Sequence, residues 1–126
     1  MTLEFAKMTG AGNDFIVIDD RANMVGEDAR ELAKQLCRRR LSIGADGLIV
    51  IVPSSRCDFR MRYFNADGSE ADMCGNGGRC AARFARERGI AGDEMRFESR
   101  SGMHSATIVD HENVRLAMPD PRAMLL

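Results

Sequence analysis

The order of apolar segments along the chain is the feature that most restricts its fold. Two segments, residues 27–39 and 77–88, carry apolar residues at helical spacing, and Gly89 can cap the second. The other apolar segments alternate or are rich in β-branched residues, which is typical of strands. These predicted strands are 3–7, 15–19, 48–52, 57–64, 94–99, 103–109 and 114–118. Because the strands do not alternate with helices as in a doubly wound sheet, the sequence predicts an α+β fold.

Composition excludes several classes of protein. The chain has 126 residues, which is enough for the core of one domain. Its 18 basic residues nearly balance its 19 acidic ones, and the net charge of −1 gives no case for binding nucleic acid or a membrane surface. The apolar run at 48–53 is far shorter than the roughly 20 residues of a membrane span. The first residues lack the basic start and apolar stretch of a signal peptide, so we expect a cytoplasmic location.

The cysteines and lysines indicate no cofactor. The four cysteines are expected to be reduced, they form no Cys-x-x-Cys pair, and neither histidine lies at metal-ligand spacing from them. Neither Lys7 nor Lys34 lies in a setting suited to a Schiff base with pyridoxal phosphate. Three cysteines have apolar neighbours and are predicted in the core: Cys37, Cys57 and Cys80. The histidines, His104 and His111, are predicted on the surface or in loops.

The first glycine-rich stretch, Gly10-Ala11-Gly12-Asn13-Asp14, follows a predicted strand. It lacks the third glycine of a dinucleotide-binding fingerprint, and a strand rather than a helix comes next, so that interpretation is rejected. Two interpretations remain open. The glycines can serve a turn, or the polar pair Asn13 and Asp14 can be held at a ligand site, since buried polar groups need partners.

The second glycine-rich stretch, Met-Cys-Gly-Asn-Gly-Gly-Arg-Cys at 73–80, combines a cysteine with the start of a helix. The first N–H groups of a helix have no partner within it and form an anion site, which glycines allow a ligand to approach. The positive end of the helix also lowers the pKa of a cysteine placed there. A cysteine in such a place can instead be a small buried apolar residue. We favour Cys74 as a reactive thiol beside a bound carboxylate.

Four motifs, in this order, resemble those of the diaminopimelate epimerases. They are Lys-Met-x-Gly-x-Gly-Asn-Asp-Phe at 7–15, Ile-Gly-Ala-Asp-Gly at 43–47, Phe-Asn-Ala-Asp-Gly-Ser-Glu at 64–70 and the stretch at 73–80. The resemblance implies a fold with two similar α+β halves, each with mostly antiparallel strands wrapped around a central helix and a second, shorter helix. It also implies a cofactor-independent epimerase that interconverts LL- and meso-2,6-diaminopimelate for lysine and peptidoglycan synthesis.

The resemblance also assigns roles to residues of this chain. Two cysteines, one from each half, exchange protons on opposite faces of the α-carbon, and Cys74 is the one in this half. Asn13 and Asn65 match substrate-binding asparagines, and Gly75 and Asn76 match the positions that hold the substrate carboxylate at the helix N-terminus. Some members of the family have glutamine at the position of Gly47. Glycine there offers only backbone, so no role is assigned to it.

The chain matches only the N-terminal half of such an enzyme. We expect a half-domain at 1–118 and the truncated start of an interdomain crossing at 119–126, with the second cysteine on a missing C-terminal half. Three hypotheses follow: half of an epimerase that we expect to be a homodimer when whole, a non-catalytic amino-acid-binding module or degenerate paralogue, or a homodimer in which two copies of Cys74 rebuild a site. A racemase of the proline racemase type ranks lower, because that family usually has histidine where this chain has Asn76.

Overall fold

Two α-helices and eight strands are described by the structure, a computed structural model that covers residues 5–10, 12–38, 45–72, 75–110 and 113–117. The helices are α1 (Ala29–Leu36), preceded by a 3₁₀ turn (Gly26–Asp28), and α2 (Gly75–Glu87). The strands are β1 (Phe5–Gly10), β2 (Asn13–Asp19), β3 (Gly47–Val52), β4 (Phe59–Asn65), β5 (Glu70–Ala71), β6 (Glu94–Ser99), β7 (Gly102–Ile108) and β8 (Val114–Ala117). Each predicted element has a counterpart, and β5 is additional.

One curled sheet contains all the described strands. Its order is β1-β2-β3-β4-β6-β7-β8, and the short strand β5 pairs with β4. The pairs β2–β3 and β4–β6 are parallel, and the other neighbours are antiparallel. Helix α2 contacts β1, β2 and β3 as well as β7 and β8, which lie at the far end of the order. The sheet therefore wraps around α2, and the predicted α+β fold with a central helix and a shorter second helix is confirmed.

The middle of β2 and all of β3 after Gly47 are apolar because both faces of these strands are covered. On β2, Phe15 and Val17 belong to the core cluster that contains α2, whereas Ile16 and Ile18 belong to the cluster that contains α1. Strand β3 alternates in the same way. The face of the sheet that holds Phe15 is therefore the face toward α2. This alternation defines which side chains can contribute to a site at the N-terminus of α2.

Helix α1 is shorter than predicted. The pattern at 27–39 predicts a single helix, but α-helical geometry begins at Ala29, and residues 26–28 form a 3₁₀ turn. The buried carboxylate of Asp20 accepts hydrogen bonds from the backbone N–H groups of residues 24–26 at 2.7, 2.9 and 3.1 Å. This carboxylate fixes the path by which the chain enters the helix. Helix α2, in turn, begins at Gly75, two residues earlier than predicted.

The prediction for His104 was wrong. His104 lies within β7, is 1% exposed, and packs against Phe97 with ring centroids 5.0 Å apart. Its Nε2 lies 2.6 Å from the Ser99 hydroxyl oxygen, and burial lowers the pKa of the imidazole. Strand alternation buries it, because Ala106, two residues on, is also buried. His111 lies outside the described residues.

The cysteine predictions had mixed outcomes. Cys37 and Cys80 are buried, as predicted. Cys57 is not a core residue: it is half-buried, lies just before β4, and its thiol makes 3.2 Å contacts with the Ser54 hydroxyl and the Phe59 carbonyl. The alternating pattern in the sequence extends back to Cys57, but the strand itself begins only at Phe59.

The predicted domain limits stay a prediction, because residues 118–126 lie outside the part of the chain that the structure describes. Within the described residues, no helix combines the length and the apolar character that crossing a membrane requires.

Candidate active site at the N-terminus of helix α2

Polar residues collect at one end of the sheet, on the face toward α2. Strands β2 and β3 begin at this end and β4 finishes there, because Phe15 pairs with Gly47 and Gly47 pairs with Asn65. Asn13 lies two residues before Phe15 on β2 and shares its face. The two predicted substrate-binding asparagines, Asn13 and Asn65, therefore lie at the same end of the sheet. Strand β3 lies between β2, which carries Asn13, and β4, which carries Asn65, so the axes of those two strands are about 10 Å apart.

A direct hydrogen bond joins this end of the sheet to helix α2. The Asn76 side-chain amide donates from Nδ2 to the Asn13 Oδ1 at 2.9 Å, and both residues are half-buried. Asn76 is the second residue of α2, so the bond holds the start of the helix against the start of β2. The structure thus brings together two predicted site residues that are 63 positions apart in the sequence.

The first turn of α2 has the composition of an anion site. The helix begins at Gly75, has no acidic residue in its first turn, and buries Gly77 and Gly78. Helix N-termini carry partial positive charge and N–H groups that point away from the helix. Cys74 directly precedes Gly75 in the sequence, but Cys74 itself lies outside the described residues. Its assignment therefore remains a prediction from the sequence.

Two aspartates of the motifs hold the beginnings of β2 and β3 together. The Asp14 backbone N–H donates to the Asp46 carboxylate at 2.7 Å, and the Asp46 backbone N–H donates to the Asp14 carbonyl at 2.8 Å. The Thr9 hydroxyl on β1 donates to the Asp14 carboxylate at 2.6 Å. Of the two residues that the sequence offered as a ligand-holding pair, Asp14 therefore supports the strands, and Asn13 is the one that contacts α2.

A tight turn fixes Asn65. Its backbone N–H donates to the Ser69 carbonyl at 2.8 Å, and its side-chain amide donates to the Ser69 hydroxyl at 3.1 Å. The hydroxyl and backbone N–H of Ser69 both donate to Asp67, and these bonds lower the pKa of the Asp67 carboxyl. Gly68 completes the turn with φ +91°, a conformation that favours glycine.

An ion pair and a hydrogen bond hold the strand that leads toward α2. The Arg62 guanidinium on β4 donates to both oxygens of Glu70 on β5, at 2.9 and 3.1 Å, and these bonds lower the pKa of the Glu70 carboxyl. Arg100 donates to the Glu70 carbonyl at 2.8 Å. Only four residues separate Glu70 from Gly75, so this anchoring limits where the chain can enter the helix.

Tyr63 is a residue of this region that the sequence interpretation missed. It lies on β4 two residues before Asn65 and therefore on the same face. A Cβ atom added to Gly47 would lie 2.6 Å from the Tyr63 hydroxyl oxygen and 2.7–2.8 Å from two carbons of the ring. The phenol therefore lies across Gly47. The available signal was the alternation of Tyr63 with Asn65, combined with a glycine at the start of the neighbouring strand.

The described residues contain no group of three or more histidine, cysteine, aspartate or glutamate side chains that could hold a metal ion. The polar groups near the start of α2 include amides, backbone N–H groups and the Arg79 guanidinium, whose Nη1 would lie 3.3 Å from a Cβ added to Gly75, and the Tyr63 phenol lies over Gly47 at the same end of the sheet. Such groups bind carboxylates and amines by hydrogen bonds.

Solved structures that share this fold include an isomerase and a probable racemase. A methylitaconate-delta-isomerase superposes with a TM-score of 0.69 at 14% identity, covering 91% of this chain and 63% of that one. A probable proline racemase from Agrobacterium radiobacter K84 superposes with a TM-score of 0.69 at 18% identity, covering 93% of this chain and 42% of that one. At these identities the likeness shows the fold alone.

Sequence comparison identifies the family. The diaminopimelate epimerase family profile matches residues 5–124. The diaminopimelate epimerase of Halothermothrix orenii is 51% identical over 88% of this chain and 40% of its own length, and that of Desulforudis audaxviator is 44% identical over 95% and 45%. The chain belongs to the diaminopimelate epimerase family. It spans a little less than half the length of these curated relatives.

Proposed function

We propose that this chain is the N-terminal half of an epimerase that interconverts LL- and meso-2,6-diaminopimelate without a cofactor, and that it supplies one of two catalytic cysteines. The observation that carries the proposal is the 2.9 Å hydrogen bond from Asn76 to Asn13. It joins the helix start that follows Cys74 to the sheet end that carries Asn65. Family membership over residues 5–124 supports the same activity and substrate.

The first turn of α2 is the proposed binding site for the carboxylate next to the reacting carbon. The N–H groups of Gly75 and Asn76 would donate to that carboxylate, and the absence of an acidic side chain in this turn favours an anion. Negative charge grows on the carboxylate as the α-proton leaves, so donors that are already in place stabilise the carbanion. In the sequence Cys74 directly precedes the helix, and the pKa of a thiol placed at the positive end of a helix is lowered.

Inversion of the α-carbon requires a second acid–base group. Cys74, as thiolate, would remove the α-proton and become a thiol, leaving a planar carbanion. A thiol on the opposite face then donates its proton and becomes a thiolate, which inverts the centre. A single base returns the proton to the face from which it came. We propose that the second cysteine comes from the C-terminal half that the longer members of the family have.

The test joins this chain to the C-terminal remainder of the Halothermothrix orenii relative and follows LL-diaminopimelate in D₂O by NMR. We expect inversion to the meso isomer with deuterium at the α-carbon in the joined protein, and no inversion by the 126-residue chain alone. Inversion by this chain alone would favour the homodimer with two copies of Cys74. Binding without exchange in the joined protein would favour the non-catalytic module.

Two cysteine variants make a matched pair. Replacing Cys74 by alanine should reduce inversion by about a thousandfold, as expected for loss of a catalytic acid–base group. Cys57→Ala is the control, because Cys57 lies just before the first residue of β4, whereas Asn65 is the last residue of that strand. Equal losses in the two variants would contradict the assignment of Cys74. The cytoplasmic location and the homodimer of the whole enzyme stay predictions.

A further inference from the structure

The position of Tyr63 follows from the register of β3 and β4. Tyr63 pairs with Ile49, and Asn65 pairs with Gly47. Gly47 and Ile49 are two residues apart and share the face toward α2, as do Tyr63 and Asn65. The Tyr63 side chain runs diagonally from its own pair to the next one, because its ring atoms lie over Gly47. The hydroxyl end of the ring is thereby carried toward the end of the sheet where Asn13 and Asn65 lie.

The absence of a side chain at Gly47 is what makes this position possible. A Cβ there would lie 2.6–2.8 Å from Oη, Cε2 and Cζ of Tyr63, which is closer than any side chain can pack. The φ of Gly47 is not positive, so its backbone conformation does not itself call for glycine. The close approach of the phenol is the physical reason for glycine at this position.

Phe15 holds the ring from the other side. The rings of Phe15 and Tyr63 meet edge to face, with centroids 6.0 Å apart and planes at 70°. Phe15 is 1% exposed, whereas Tyr63 is half-buried against the same core cluster. A ring fixed in this way loses little side-chain entropy when its hydroxyl binds a ligand.

We infer that the Tyr63 hydroxyl positions the substrate in the proposed half-site by donating a hydrogen bond to the carboxylate that the first turn of α2 does not hold. This inference rests on the proposed function, which supplies a substrate with two carboxylates. The phenol lies over β3, between the strands of Asn13 and Asn65, so it adds a donor to the middle of this row of polar groups. Tyr63 is thus a specificity-determining residue rather than a catalytic one.

The chain offers a direct probe, because Tyr63 is its only tyrosine and it contains no tryptophan. The 126-residue chain, labelled with ¹³C in the tyrosine ring and uniformly with ¹⁵N, is titrated with meso-diaminopimelate and followed by NMR. We expect a saturable shift of the Tyr63 Cζ signal together with shifts of the Gly75 and Asn76 amides. Shifts of those amides with an unchanged Tyr63 signal would overturn the inference and leave the proposed function intact. No shift at either place would overturn the half-site itself, and the inference with it.

Variants of the joined protein separate the hydroxyl from the ring. Tyr63→Phe keeps the ring and should raise KM about tenfold with little change in kcat, as for loss of a hydrogen bond to a charged group. Tyr63→Leu should have the same effect, and adding Gly47→Ser should restore part of the affinity. A Cβ at position 47 lies 2.6 Å from the site of the lost hydroxyl, so a serine there returns a hydroxyl to that region. An unchanged KM in Tyr63→Phe would refute the role.

Discussion

Replacing Gly47 by alanine should destabilise the fold through one identified contact. The new methyl group would lie 2.6–2.8 Å from three atoms of the Tyr63 ring, against about 3.5–4.0 Å for an unstrained carbon contact. The ring cannot simply move aside, because Phe15 packs against it at 6.0 Å between centroids. Overpacking of this kind costs about 1–3 kcal/mol.

The effect of Gly47→Ala on stability should reverse when leucine replaces Tyr63. Leucine at position 63 lacks the three atoms that the methyl group would meet. In the Tyr63→Leu background, Gly47→Ala should therefore stabilise the protein by about 0.5–1 kcal/mol, because alanine loses less backbone entropy on folding than glycine. The two substitutions should be coupled by about 1.5–4 kcal/mol, which is outside the error of additivity for independent sites.

Urea unfolding of the wild type, both single variants and the double variant, followed by far-UV circular dichroism, measures this coupling. In thermal melts, 1 kcal/mol corresponds to a shift of about 4 °C for a chain of this size. The slope of the free energy of unfolding against urea should stay constant, so that the midpoints report stability. If Gly47→Ala costs the same in both backgrounds, the clash with Tyr63 is not its cause, and the account of Gly47 fails.

Three further predictions concern stability. Glu70→Gln should cost about 1–2 kcal/mol at pH 7 in urea unfolding, because Arg62 loses its charged acceptor. The pKa of Glu70 is lowered in the fold, so this pair stabilises the wild type above pH 4.5. Below that pH, the variant should therefore lose less stability than the wild type during acid titration. The lowered pKa of His104 means that the wild type should lose stability as the pH falls through 6.5, so urea midpoints at pH 7.5 and 5.5 should differ less in His104→Phe. Gly68→Ala should destabilise more than Gly89→Ala in thermal melts: both have positive φ, but only at Gly68 would a Cβ meet a backbone carbonyl of α1, at 2.9 Å.

Local sequence determined the elements of the fold. Alternation and β-branched runs predicted seven strands, and helical spacing predicted both helices. The reason is that the spacing of apolar residues along the chain follows the periodic burial of side chains in each element. The boundaries were less accurate where a tertiary contact sets them, as with the Asp20 carboxylate that holds the chain before α1. The motif at 73–80 likewise predicted the start of a helix and, with it, the position of the candidate site.

Only the tertiary structure decided which distant residues meet. The bond between Asn76 and Asn13 spans 63 positions, and no periodicity in either segment encodes it. The burial of His104 depends on the curling of the sheet, which covers a face of β7 that an isolated strand would expose. The phenol of Tyr63 lies over Gly47 because β3 and β4 pair in one register, and a shift of a single residue would turn Tyr63 to the opposite face. Sequence periodicity specifies which residues are apolar, but strand register, set by packing of the whole sheet around α2, specifies which polar groups form a site.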